Sequence, residues 1–158
     1  MFQFNNMRGQ SIIEVLVAIA VGVVVMGAIT VAVTTSLIGA EFGRNQSEAT
    51  NISQEGIDTM RNIRDSDYTK FSSYSDGDYC LAKNATSLTN ESTCTSPNVD
   101  IFVRKVNIKT NVAGSCTASK EITVTTSWND SRCSGPSDYC HDVSLVTCLS
   151  DSLVPTPR

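Results

Sequence analysis

Residues 7–18 read Met7-Arg8-Gly9-Gln10-Ser11-Ile12-Ile13-Glu14-Val15-Leu16-Val17-Ala18, and apolar side chains continue almost without break to Val33. Glu14 is the only charged residue between Ile12 and Val33. A helix of about 22 residues spans roughly 33 Å, enough for a hydrocarbon core of about 30 Å. A carboxylate in that setting costs about 3 kcal/mol on insertion scales, so it asks for a partner charge. Cleavage after Gly9 would supply one, a new amino terminus on Gln10. A secretory signal peptide has a shorter apolar run, roughly 7–15 residues, with its cut site after the run. An ordinary membrane anchor fits the length and leaves Glu14 unexplained. The reading that accounts for Glu14 cuts before the apolar run and keeps the helix.

The stretch Gly9-Gln10-Ser11-Ile12-Ile13-Glu14-Val15-Leu16-Val17-Ala18 resembles the class III signal of type IV pilins and pseudopilins. The resemblance is dense to about residue 33 and looser beyond. It implies that a prepilin peptidase cuts after Gly9, that Gln10 becomes the methylated first residue, and that Glu14 is the acid that aligns subunits during assembly. Residues 1–9 would be the leader, with Arg8 its only charged side chain. Gln10 stands where phenylalanine is usual. The proline that many major pilins carry midway along the helix is missing, which favours a minor pilin or pseudopilin. The resemblance further implies an α+β fold, a long N-terminal helix on a small antiparallel sheet. The implied partners are the peptidase, other pilin subunits and an assembly platform in the cytoplasmic membrane. The chain would sit in that membrane by a single pass with its head outside, and then move into a surface filament of a type IV pilus, competence or type II secretion-like machine. The alternative is a single-pass anchored adhesin or binding domain that never polymerises.

Like helices packed side by side would bring Glu14 of one copy near the Gln10 amine of another, a pair strongly coupled at low dielectric. Gly22, Gly27 and Gly39 allow close helix approach, although glycine is common in membrane helices in any case.

The chain has 158 residues, net charge −4 and 41% hydrophobic content. About 125 residues remain beyond the apolar stretch, enough for one small domain. The organisation expected is a leader at 1–9, a transmembrane and assembly half-helix at 10–38, an amphipathic half-helix at 39–65 and a β head at 66–158. Cys80, Cys94, Cys116, Cys133, Cys140 and Cys148 all follow the apolar run. An even count in an exported, polar region argues for disulfides. Residues 42–158 carry eleven basic and fourteen acidic side chains, a poor footprint for nucleic acid. Arg104, Lys105 and Lys109 read as a solvated strand face.

Ala49, Ile52, Gly56, Met60 and Ile63 mark one helical face, with Asp58–Arg61 and Arg61–Asp65 as candidate pairs. The helix is expected to end at Asp65-Ser66-Asp67; a break near 39–43 is the alternative. Residues 66–98 read as loop, with Asp76-Gly77-Asp78 a turn. Three strands are expected: Val99 to Val112 with a bulge around Val103, Glu121 to Trp128 with Ile122, Val124, Thr126 and Trp128 on one face, and Asp142 to Leu149 with Val143, Leu145 and Leu149 inward. Pairing the last two strands antiparallel sets Cys116 near Cys148 and Cys133 near Cys140, leaving Cys80 and Cys94; this is one of fifteen connectivities.

Cys140-His141-Asp142 has the residue types of a thiol relay, but neighbours along a strand alternate faces and cannot converge. Zinc lacks a C-x-x-C pair, and Asp65, Asp67, Asp76 and Asp78 lack calcium-loop spacing. The sequence therefore points to a non-enzymatic subunit with no metal or other cofactor. Trp128 reads as core; Tyr74 and Tyr79 are candidates for a binding surface.

Overall fold

The computed structural model describes residues 10–90, 94, 97–114, 116–135 and 139–150. The element order is helix α1 (Gln10–Ser66), helix α2 (Tyr68–Ser73) and strands β1 (Gly77–Cys80), β2 (Val103–Val112), β3 (Cys116–Trp128) and β4 (His141–Ser150). This is the α+β, pilin-like layout. Packing divides the chain into two units, one up to Phe42 and the other from Gly43 onward.

In the first unit, no proline interrupts α1, and the hydroxyls of Thr30, Thr34 and Thr35 bond back to carbonyls of the same helix. Thr30 Oγ1 donates to the Met26 carbonyl at 2.9 Å and Thr35 Oγ1 to that of Val31 at 2.8 Å. A hydroxyl bonded back to its own helix needs no water, which suits an apolar surrounding.

In the second unit, α1 buries Ala49, Ile52, Ser53, Gly56, Ile57, Met60 and Ile63 and exposes Asn51, Gln54, Glu55, Asp58 and Arg61. The four strands form one antiparallel sheet in the order β1-β2-β3-β4. Its rows Val106–Val124–Leu145 and Ile108–Ile122–Thr147 face the helix. Met60, Ile63, Phe71, Leu81, Val106, Ile108, Ile122, Val124 and Leu149 form the core. Each large side chain there contributes about 1.5–3 kcal/mol of burial.

Gly56 sets how closely helix and sheet approach. A methyl group at this position would lie 2.8 Å from Val124 Cγ1 and 3.2 Å from Arg104 Cδ. Beside it, Ser53 Oγ donates to Thr126 Oγ1 at 2.7 Å in the buried interface. At the β2–β3 turn Gly114 adopts φ +86, a conformation open to glycine at little steric cost.

Several expectations are corrected. Residues 66–98 contain α2 and β1, because Asp67 caps α2 through Lys70 N at 2.9 Å and Phe71 fills the core. Asp76-Gly77-Asp78 leads directly into β1. There are thus four strands in the described sheet rather than three. β2 starts at Val103, and the register shift falls between Thr110 and Val112. The broken parity at Val103 has another cause: Val103 packs on the opposite sheet face with Cys80, Cys94 and Tyr139, so consecutive residues are buried on both sides. β3 starts earlier than expected, at Cys116, and β4 starts at His141. Arg61 pairs with Asp58 at 2.8 Å, whereas Asp65 takes Arg64 instead. Helical structure is unbroken through Gly39 and Gly43. The tail at 151–158 lies outside the described residues.

Arg104 is the largest correction. It is fully buried rather than solvated. Its Nε donates to the Leu81 carbonyl at 3.0 Å, Nη1 to Ile52 at 3.1 Å and Nη2 to Ala82 at 2.9 Å, and Glu55 Oε1 lies 3.3 Å from Nη1. One guanidinium thereby ties α1, β2 and the 81–82 segment together. Burial pushes its pKa down from the usual value, and Glu55 opposes that shift. Lys120 acts similarly at the end of α2. Its Nζ donates to the carbonyls of Phe71, Ser72 and Tyr74 at 3.2, 3.0 and 2.7 Å, satisfying acceptors that a helix end leaves open.

Replacing Gly56 with alanine is expected to lower stability by about 1–3 kcal/mol, because Val124 and Arg104 must give way. Thermal unfolding followed by circular dichroism checks this; an unchanged midpoint contradicts the close approach.

Candidate functional site

Two regions carry candidate functional residues, and each belongs to one unit. The first is the beginning of α1. Every described side chain from Ile12 to Glu41 is exposed. Ile12, Ile13, Val15, Leu16 and Val17 are each more than half exposed, so the surface around Glu14 is continuous apolar area. Monomeric soluble proteins rarely display a contiguous patch of that kind. By length and composition this part of α1 can cross a membrane. Gln10 is the first residue of α1, and Glu14 follows about one turn later. Gly9 and the rest of 1–9 lie outside the described residues.

The second region lies at one end of the sheet, where the β3–β4 connection returns. Three disulfides are formed: Cys80–Cys94, Cys116–Cys148 and Cys133–Cys140, with Cα separations of 5.4, 5.5 and 5.6 Å. Cys116–Cys148 and Cys133–Cys140 are the pairs expected from folding the last two strands against each other, and Cys80–Cys94 is the pair that remained. Cys116–Cys148 ties the start of β3 to the end of β4, and Cys133–Cys140 closes the connection between the same strands.

Cys140, His141 and Asp142 do not converge. Cys140 is bonded to Cys133, and Asp142 is exposed on the sheet face opposite the inward row that contains Trp128 and His141. His141 Nε2 instead lies 3.1 Å from Asp130 Oδ1, and its ring sits 5.4 Å from that of Trp128. Trp128 is 1% exposed and meets Phe102 edge-on. Asp130 is the residue that sequence reasoning missed. Its carboxylate is almost fully covered, takes Arg132 Nη2 at 2.7 Å and Nε at 3.1 Å, and accepts the Arg132 backbone N–H at 2.8 Å. The available signal was Asp130-Ser131-Arg132 itself, since an aspartate often bonds the backbone two residues on.

The remaining candidates have structural roles. Asp76 accepts from Thr110 and Asp78 from Asn107, both at 2.6 Å, while Asp67 caps α2 and Asp65 pairs with Arg64. These four carboxylates are held apart by separate partners. Tyr79 is buried, and Tyr74 packs on the core against it, with ring centroids 5.5 Å apart. Neither belongs to an open surface.

The hydrogen bonds from the Arg132 side chain, helped by its backbone and by His141 and opposed by burial, hold the Asp130 carboxyl at a pKa of about 2 against an ordinary 3.8. Because the folded value is the lower one, this group stabilises the fold above about pH 4, and the contribution is lost as pH falls through about 2. The difference in melting temperature between the protein and its Asp130→Asn variant is therefore expected to shrink from pH 5 to pH 2. A difference that stays constant across that window contradicts the assignment.

Compared with known proteins, residues 4–30 match the family model of the prokaryotic N-terminal methylation motif. The chain thus carries the type IV prepilin-like signal at its amino-terminal end. No curated protein and no solved structure matches the chain.

Proposed function

We propose that this chain is a non-enzymatic filament subunit, a minor pilin or pseudopilin of a type IV pilus, competence or type II secretion-like machine. The observation that carries the reading is the methylation motif at residues 4–30 set directly on an exposed apolar helix with one internal carboxylate. In this reading a prepilin peptidase cuts after Gly9 and methylates Gln10. The new ammonium sits at the amino end of α1, where the helix dipole already disfavours positive charge. Glu14 of a neighbouring subunit offsets that cation. The apolar surface from Ile12 to Val33 first faces lipid in the cytoplasmic membrane and then faces other subunits, with the assembly platform moving the chain between the two states. The head, braced by three disulfides, stays on the oxidising side, first at the membrane and then on the filament surface.

Two substitutions test separate steps. Gly9→Ala is expected to block cleavage, so that intact-mass measurement finds residues 1–9 retained. Glu14→Ala is expected to leave membrane insertion intact and reduce incorporation into sheared filaments about tenfold or more, as loss of one partner of a desolvated pair implies. A mature chain beginning elsewhere than Gln10 overturns the processing step. Normal incorporation of the Glu14 variant overturns the assembly step. A chain that is processed and anchored but never polymerises supports the adhesin reading instead.

A further inference from the structure

The Cys133–Cys140 loop holds more chemistry than a filament subunit needs. Asp130, Cys133, Cys140 and His141 each place one donor atom within 4.8 Å of all the others. Two sulfurs, an imidazole nitrogen and a carboxylate oxygen are a zinc donor set, and tetrahedral sites of mixed thiolate and imidazole ligands are what zinc prefers. We propose that these four side chains form a redox-convertible zinc site, with Cys133 and Cys140 joined as a disulfide under oxidising conditions and competent for zinc once they are reduced.

Three features support the conversion. The first is that the ligands are held by contacts independent of the S–S bond. The Cys133 N–H donates to the Asp130 carbonyl at 3.1 Å, and the Asn129 side chain donates to the Gly135 carbonyl at 2.6 Å. The Asp130 N–H donates to Cys133 Sγ at 3.5 Å, which adds a second contact holding that cysteine. Secondly, charge balances. Two thiolates and a carboxylate carry three negative charges; zinc offsets two, and Arg132, on Asp130 Oδ2, offsets the third. Arg132 also fixes the carboxylate with Oδ1 toward His141 Nε2, 3.1 Å away. Two zinc ligands with bonds of about 2.0–2.1 Å in a tetrahedron lie about 3.3 Å apart, so this pair already has nearly the right spacing. The sulfurs must separate to about 3.8 Å, as tetrahedral zinc–sulfur bonds of about 2.3 Å require.

The third feature is selectivity among the bridges. Cys133–Cys140 closes a separation of seven residues, against 14 for Cys80–Cys94 and 32 for Cys116–Cys148. Loop-closure entropy makes the shortest bridge the least stabilising. Cys133 is half-buried and Cys140 exposed; Cys80 and Cys94 are both buried, and the Cys116–Cys148 bridge pairs a buried Cys116 with an exposed Cys148. The short loop and the absence of a buried sulfur at either end together make this the bridge an attacking thiolate opens first. The reductant is a dithiol: it gives up two electrons and closes into its own disulfide, the S–S bond breaks, and its two protons pass to Cys133 and Cys140. Zinc then replaces both protons, which are released to solvent.

The test uses the full-length chain in detergent micelles, titrated with a limiting dithiol under anaerobic conditions, with alkylation and peptide mass mapping to show which bridge opens. Cobalt is the spectroscopic probe and zinc the counted metal. Before reduction, no metal is expected to remain after gel filtration. After reduction, one zinc per chain and a thiolate-to-cobalt charge-transfer band are expected. His141→Gln and Asp130→Asn are each expected to weaken zinc binding by about tenfold or more, since each removes one ligand of a site that needs four. Cys133→Ser with Cys140→Ser is expected to abolish binding while far-ultraviolet circular dichroism stays native, which separates site loss from unfolding. Metal retention by that double variant, by the oxidised chain, or equally by the His141 variant overturns the proposal. So does a reduced Cys133–Cys140 pair that binds no metal.

Discussion

Glu14 is the one charged side chain on an exposed apolar helical surface that runs from Ile12 to Val33, and an ionised carboxylate in that position needs a cation close by. At 4 Å the attraction between unit charges grows from about 1 kcal/mol in water to about 4 kcal/mol at an effective dielectric of 20. The same surroundings that make Glu14 costly alone therefore make it selective when paired. A cation created only by proteolysis would be a switch. In the proposed assembly the pair forms only after cleavage, when each chain would carry both halves and each half could reach a neighbour. This arrangement is heterologous, head to tail, and extends rather than closes.

The unit from Gly43 onward carries the sheet. Its core is modest, and two buried cations do much of the joining. Arg104 links the helix to β2 and to the chain after β1 through three backbone carbonyls, and Lys120 gathers the three acceptors at the end of α2. A buried cation deprived of its acceptors is left uncompensated, which is strongly destabilising. Together with the disulfides, these contacts fix the sheet against α1 at the spacing Gly56 permits.

How much of this could be read in advance differs by element. The long helix was legible because its apolar run, the 3-and-4 spacing from Ala49 to Ile63 and the lack of proline agree at every level. Strand β3 was legible because Ile122, Val124, Thr126 and Trp128 alternate strictly with polar residues. α2 and β1 were missed because a six-residue helix and a four-residue strand in a Ser- and Asp-rich segment leave almost no periodic signal. Both exist through tertiary contacts, Phe71 in the core and β1 paired with β2. Arg104 was misplaced because composition cannot tell a solvated arginine from one whose partners are carbonyls distant in sequence. Gly9, Gln10 and Glu14, the residues proposed for processing and assembly, fall within the local motif matched at residues 4–30. The Asp130–His141 contact was not legible, because it joins a residue just past the end of β3 to the first residue of β4, a contact that no local pattern announces.

The most direct measurement of the central pairing is a distance between subunits. Filaments are assembled from an equal mixture of two batches, one labelled with nitrogen-15 at the amine of Gln10 and the other with carbon-13 at the carboxyl of Glu14, and are studied by solid-state nuclear magnetic resonance. A dipolar coupling corresponding to roughly 4 Å, within the reach of a charge pair, is predicted in the mixed sample, where only contacts between different chains can produce it. A mixed sample without that coupling, in filaments that are otherwise well formed, contradicts the account.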